Sequence, residues 1–329
     1  MNRSISPALR TLFAELLQQL ETASAAGSVY RRKTQAGEYI YAKVRVGSAR
    51  IDQFVGKAGD KEAEAHAKAL QLGASLAAER RRLVSTLRSQ GIAAPDRTMG
   101  AVLDALAHAG LFRAGAVLVG TSAYLLSEAL VGRRLPSPTL MTGDVDIAAA
   151  SLALTADPPE KLEAILKRAD ATFEGLPQLS RKASPSRFRN ADGYLVELVT
   201  PTRKRDDANP LELAALAAGA APLQHLAWLI EGAVRTAALW GSGVLVNVPQ
   251  PARFAVHKLI LAQRRDATSR LKRAKDLAQA GALIEALRVD DPFALEDALA
   301  DARARGETGW RRPISRSLQE LGITDLAHD

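Results

Sequence analysis

Gly143-Asp144-Val145-Asp146-Ile147-Ala148 alternates acidic and apolar side chains at the period of a β-strand. Successive strand residues face opposite sides, so Asp144 and Asp146 project together while Val145 and Ile147 face the other way. Upstream, Ala114 to Val119 is an apolar run that reads as a short buried strand. It ends at Gly120, and Thr121 to Leu130 returns to helical composition. A breaker-rich loop from Gly132 to Gly143 joins that helix to the acidic strand. Downstream, a helix is expected over 158–169, followed by a basic loop. Tyr194-Leu195-Val196-Glu197-Leu198-Val199, bounded by Asp192-Gly193 and Pro201, then reads as a third strand.

This order of strand, glycine, small hydroxyl residues, helix and acidic strands is what phosphoryl transfer by two metal ions requires. Hard divalent cations take oxygen ligands and keep phosphate oxygens in their shell, so a carboxylate pair beside a triphosphate suits Mg2+ or Mn2+. Glu197 is the candidate third ligand, with Asp192 in its Asp-Gly turn as the chief competitor, and it could also help remove a proton from an attacking hydroxyl. Gly120 has no side chain to keep phosphate away, and it precedes a helix whose first amides are anion donors. Thr121 and Ser122 would add hydroxyl donors. The expected reaction is in-line attack by a hydroxyl on the α-phosphorus of a nucleoside triphosphate such as ATP, with pyrophosphate leaving. The bland alternatives are an exposed strand edge for Asp-x-Asp and a solvent-facing strand glutamate for Glu197.

Val119-Gly120-Thr121-Ser122-Ala123 followed by Gly143-Asp144-Val145-Asp146-Ile147-Ala148 resembles the DNA polymerase β-like nucleotidyltransferase superfamily, which joins a glycine–serine element to a Dh[DE] strand. It looks like the minimal bacterial branch. Val246-Asn247-Val248-Pro249, His257-Lys258-Leu259, Arg264, Arg265, Lys275 and Asp276 are similar to the C-terminal region of abortive-infection and toxin-type members. The resemblance implies Lys258 as a phosphate contact and Asp276 as an auxiliary acid of the nucleotide site. Read from the residues alone, Lys258 could instead snorkel from a helix edge, and Asp276 and Arg265 could be surface charges on a basic helix. His257 reads as a packed or surface histidine. The chain departs from the pattern in having Gly120-Thr121, and in a longer interval before Asp144 that places a loop, 133–138, at the mouth of the site.

The resemblance spans roughly residues 98–280. It implies an α+β fold, a mixed sheet flanked by helices, to which the residues themselves add an N-terminal helix, β-ribbon and long helix, outside the resemblance, and a C-terminal helical domain. The expected division is 1–95, 96–250 and 251–329. In the first part, Ser28 to Gly56 is rich in β-branched and aromatic residues punctuated by Ala36-Gly37 and Gly47-Ser48, so it reads as an antiparallel meander. Asp60 then caps a long helix that runs to about Gln90. Gly243 to Val248 is a further strand, and the chain is helical from Pro251.

The 329 residues are 47% apolar and include no cysteine, which excludes disulfide scaffolds, thiolate nucleophiles and cysteine-ligated metals and suggests a reducing, cytoplasmic setting. The opening residues read as an amphipathic helix and not a signal peptide, and no apolar run suits a membrane span. Walker, Rossmann and serine-hydrolase signatures are absent, and the five histidines show no metal-like spacing. A net charge of +8 favours polyanions, although basic helix faces account for much of it. The acceptor is therefore expected to be an RNA (for example tRNA) 3′ end or a protein side chain, with the N-terminal arm tilting towards RNA. A homodimer or an antitoxin partner is a further expectation. The alternative is a catalytically degenerate nucleotide- or partner-binding protein, such as a toxin–antitoxin component.

Overall fold

The computed structural model describes residues 3–23, 26–136, 143–149, 160–178, 183–202, 210–266 and 269–327. Helix α1, Pro7–Glu21, starts where the Ser6 hydroxyl accepts from the Leu9 amide and Pro7 needs no amide partner. Strands β1 (Ser28–Thr34), β2 (Gly37–Val46) and β3 (Ala49–Lys57) form an antiparallel sheet in chain order. Helix α2, Lys61–Ser89, follows at once. Its Asp60 cap accepts from the Glu62 and Ala63 amides at 2.9 Å each, and Glu62 and Glu64 complement the helix dipole. Ile40, Ala63 and Ala67 close a small core between sheet and helix, with Val29, Val55 and Ala58 packed against it.

The β2–β3 turn is fastened to the rest of the protein. Helix α3, Arg97–His108, begins at an Asp96 cap, and its Asp104 carboxylate accepts from the Gly47 amide at 2.6 Å. The Ser48 amide donates to the Arg168 carbonyl at 3.1 Å, and the Ser48 hydroxyl reaches the carbonyls of Arg168 and Ala169. Gly47 has φ +59°, and a Cβ there would lie 2.8 Å from the Arg168 carbonyl oxygen, a backbone atom with little room to yield. Gly47→Ala is therefore expected to destabilise the protein by about 1–3 kcal/mol. Denaturant unfolding checks this, and a loss below about 0.5 kcal/mol, the range of an ordinary surface change, would contradict it.

The main sheet follows: β4 (Val117–Val119), helix α4 (Gly120–Val131), β5 (Asp144–Ala148), α5 (Leu162–Lys167), β6 (Glu174–Gly175), β7 (Arg187–Arg189), β8 (Leu195–Pro201), β9 (Leu211–Leu213) and β10 (Ala218–Leu223). Its order is β4-β5-β8-β10-β9. β5 and β8 are parallel, and the other edge of β8 is shared by antiparallel β7 and parallel β10. α6 (Leu226–Ile230) leads to a separate hairpin of β11 (Val234–Ala238) and β12 (Val244–Val248). Helices α7 (Pro251–Arg264), α8 (Arg270–Asp290), α9 (Pro292–Ala304) and α10 (Arg312–Glu320) complete the order. Pro251 and Pro292 each sit in a first helical turn, behind caps supplied by Gln250 and Asp291.

The expected α+β class and mixed, helix-flanked sheet are what the chain adopts. One cluster of buried apolar side chains runs from Met99 to Ala327, so the C-terminal helices share a core with the sheet. A second, around Phe13, Leu16, Leu87, Ala237 and Leu239, packs α1 and the end of α2 against β11. The expected helix at 158–169 is observed as α5, and residues 158 and 159 lie outside the described residues. β6, β7, β9, β10 and β11 are not expected from the sequence, β6 and β7 lying in the stretch that reads as a basic loop. Among the described residues, no helix is long and apolar enough to cross a membrane.

Candidate active site

Val117 and Val119 are buried, and the antiparallel ladder pairs Val119 with Asp146. The next residue, Gly120, turns the chain at φ +67° into α4, where a Cβ would overlap the Asp146 carboxylate. Glycine is thus required here both by its backbone angle and by the acid beside it. Thr121 is half-buried in the first turn of α4. Ser122 is buried, and its hydroxyl donates to the Asp144 carbonyl at 3.2 Å, tying helix to strand.

On β5, Val145 and Ile147 are buried while Asp144 and Asp146 are half-buried, as alternation demands. The parallel ladder pairs Asp146 directly with Glu197 and Asp144 with Leu195, so the three acids share one face of adjoining strands. Burial, then Asp144, then Glu197 push the Asp146 carboxyl up to about 7, against the opposing pull of Lys258 and Lys275. Glu197 is also raised, by burial and by Asp144, while Arg187 and Lys272 act against it. Asp192 is exposed in the turn before β8; the carboxylates acting on Asp146 are Asp144 and Glu197.

Lys258, which acts electrostatically on Asp146, is held by Asp276. The Lys258 ammonium donates to Asp276 Oδ1 at 2.7 Å and sits 5.3 Å from the centre of the Phe254 ring, while Arg265 Nε donates to Asp276 Oδ2 at 2.9 Å. Lys258 and Asp276 are buried, so neither the snorkelling lysine nor the surface acid weighed above describes them. His257 is buried and held neutral, pushed down to about 3 by burial and then by Lys258. The mouth loop is used internally: Arg134 donates to Glu128 at 2.9 Å and to the Gln90 carbonyl at 2.6 Å, and Tyr124 donates to the Pro136 carbonyl at 3.1 Å. Residues 137 and 138 of that loop lie outside the described residues.

Three neighbours, Tyr194, Arg187 and Lys272, are absent from the sequence reading as site residues, while Lys275 belongs to the Lys275-Asp276 pair that the resemblance marks. Tyr194 is raised by burial and by Asp96, Asp144 and Asp146, which puts its phenol among the acids. Arg187 pairs with Glu197 across the β7–β8 ladder, and Lys272 and Lys275 on α8 face Glu197 and the aspartates respectively.

Oxygen donors alone, with several lysines and arginines around them, suit a hard divalent cation together with a polyphosphate. Among the described residues, no group of three or more His, Asp or Glu side chains is placed to hold a metal ion by itself. Magnesium sites usually take one or two carboxylates completed by substrate phosphate and water, and the Asp144–Asp146 pair has the oxygen-donor chemistry for such an ion.

A glycine turn beneath an acidic strand pair, in a mixed sheet flanked by helices, defines a nucleotidyltransferase-type site. A family model described as Nucleotidyltransferase matches residues 97–304, well over half of the chain. The protein belongs to that family, which bears out the resemblance at the level of the superfamily. Comparison with curated proteins finds no match, and neither does comparison with solved structures.

Proposed function

We propose that the protein transfers a nucleoside monophosphate from a nucleoside triphosphate to a hydroxyl acceptor and releases pyrophosphate. The observation that carries this reading is the pairing of Asp146 with Glu197 across parallel strands, with Gly120 against the Asp146 carboxylate. Asp144, Asp146 and Glu197 would hold Mg2+ or Mn2+, which when bound supplies neutralisation of the charge that develops on phosphate. The first amides of α4, after Gly120, would donate to phosphate oxygens, as helix N-termini do. Thr121 adds a hydroxyl at the same turn. Ser122, committed to the Asp144 carbonyl, supports the strand. Lys258, held by Asp276, and Lys275 set a positive field over Asp146 that favours the triphosphate. Glu197, whose proton affinity is raised, accepts the proton of the acceptor hydroxyl as its oxygen bonds to the α-phosphorus and the bond to pyrophosphate breaks.

The acceptor in this proposal is an RNA 3′ hydroxyl, supported by the excess of basic residues, and the compartment is the cytoplasm. Incubation with each α-labelled nucleoside triphosphate, magnesium and total RNA is expected to label RNA. Label confined to protein would move the acceptor to a protein side chain. No label, with triphosphate binding unchanged in Asp144→Asn, would identify a degenerate binding module, a toxin–antitoxin component included.

A further inference from the structure

The three-stranded sheet has two unlike faces. Ile40 and Ala42 are buried, and the Ile40 side packs on α2. On the opposite side, strand alternation and register bring together Tyr30, Tyr39, Tyr41 and Phe54. Tyr30 pairs with Tyr41, and Tyr41 pairs with Phe54. The rings form one connected row: Tyr30 stacks on Tyr41 at 5.7 Å and 20°, Tyr41 meets Phe54 edge-on at 5.5 Å, and Tyr39 lies 6.0 Å from Phe54. Three of the chain's five tyrosines are here, in a protein only 5% aromatic. Phe54 is 57% exposed, so this row is a surface and not a core.

Cations frame the row. In the same register, Arg32 pairs with Tyr39, Tyr39 with Lys57, Lys43 with Asp52, and Arg45 with Arg50, so Arg32, Lys43, Arg45, Arg50 and Lys57 share the face with a single acid. The Lys43 ammonium lies 5.4 Å from the centre of the Tyr30 ring. Rings that can stack on bases, bordered by cations spaced along the strands for phosphates, match a single-stranded polynucleotide. A second copy of the chain is a poor occupant, because it would set five cations against five. The cores of protein interfaces are also depleted in lysine.

We propose that this face is a docking platform for single-stranded RNA. The Gly47–Ser48 turn holds it at a fixed attitude to α3 and to the segment after α5. The choice of RNA over DNA rests on the acceptor proposed above; the binding face itself does not.

The test is fluorescence anisotropy of the full chain with a labelled, unstructured 15-nucleotide RNA, its DNA counterpart and an RNA duplex of equal length. Phe54→Leu keeps an apolar side chain but loses the ring, and is expected to weaken RNA binding about fivefold or more. Tyr41→Ala with Phe54→Leu is expected to weaken it about thirtyfold or more. Arg45→Gln with Arg50→Gln should flatten the salt dependence by one to two phosphate contacts. Circular dichroism melts identify variants that stay folded, and the arginine pair, exposed on the surface, tests the face without touching its rings. Binding is read without magnesium or triphosphate, so a natural chain that binds RNA through the platform yet transfers no nucleotide would sink the catalytic reading alone. The platform is overturned if folded ring and arginine variants bind RNA unchanged, or if light scattering finds a dimer that Phe54→Leu dissolves. Equal affinity for DNA or duplex overturns the RNA assignment.

Discussion

Asp146→Asn is expected to slow nucleotidyl transfer about a thousandfold and, at the same time, to make the metal-free protein more stable at pH 8. The rate loss follows from removing a charged oxygen where several kcal/mol of transition-state stabilisation are concentrated. The stability gain follows from linkage. An unfolded aspartate titrates near pH 3.9 or so, whereas the folded Asp146 keeps its proton to about pH 7. Between those values the folded chain binds more protons than the unfolded one, so stability falls as pH rises and levels off above about 7. Asparagine carries no such loss, and at pH 8 without divalent ions the variant should gain on the order of a few kcal/mol. At pH 4 the two proteins should unfold alike. Denaturant unfolding in chelator at both pH values, with a transfer assay in magnesium, checks both halves. A variant no more stable than the natural chain at pH 8, or within tenfold of its rate, would contradict the site described here.

Asp276→Ala should have the largest effect on folding. The Lys258 and Asp276 side chains are 7% and 3% exposed, and their 2.7 Å contact leaves the ammonium little access to water if its partner is removed. Arg265, one-third exposed, can turn outward. Breaking a buried pair from one side typically costs about 3–5 kcal/mol, whereas replacing both members with apolar groups can be neutral. Asp276→Ala is therefore expected to lower stability by about that amount, and Lys258→Met with Asp276→Leu to recover most of it. A single variant costing under about 1 kcal/mol, as an exposed pair would, or a double variant no better than the single, would refute the pairing as a buried unit.

The elements around Gly120 and Asp144 were legible because each was marked twice, by apolar pattern and by a breaker or a cap. The same holds for α2, with Asp60 before a long helical run. Glu197 could be put on a strand from its Asp-Gly and proline boundaries, but its partner could not be read, because parallel pairing joins residues far apart in the chain. β10, Ala218–Leu223, carries no β-branched residue and includes Pro222, so its local preference hides the role that the sheet imposes. Tyr194, Arg187 and Lys272 reach the acids through tertiary packing, which leaves no local trace. The alternation of Tyr39 and Tyr41 was visible, yet only the seat of α2 on the other side shows which face stays open.

The β5–β8 ladder also acts as an assembly check. Sliding β8 by one residue would swing Glu197 into the oily interior and push Val196 and Leu198, both fully enclosed in the correct arrangement, out among charged groups. Misthreaded molecules are thus penalised by the act of losing their acid. Counting competent sites in a preparation would in effect count the molecules whose strands are in step.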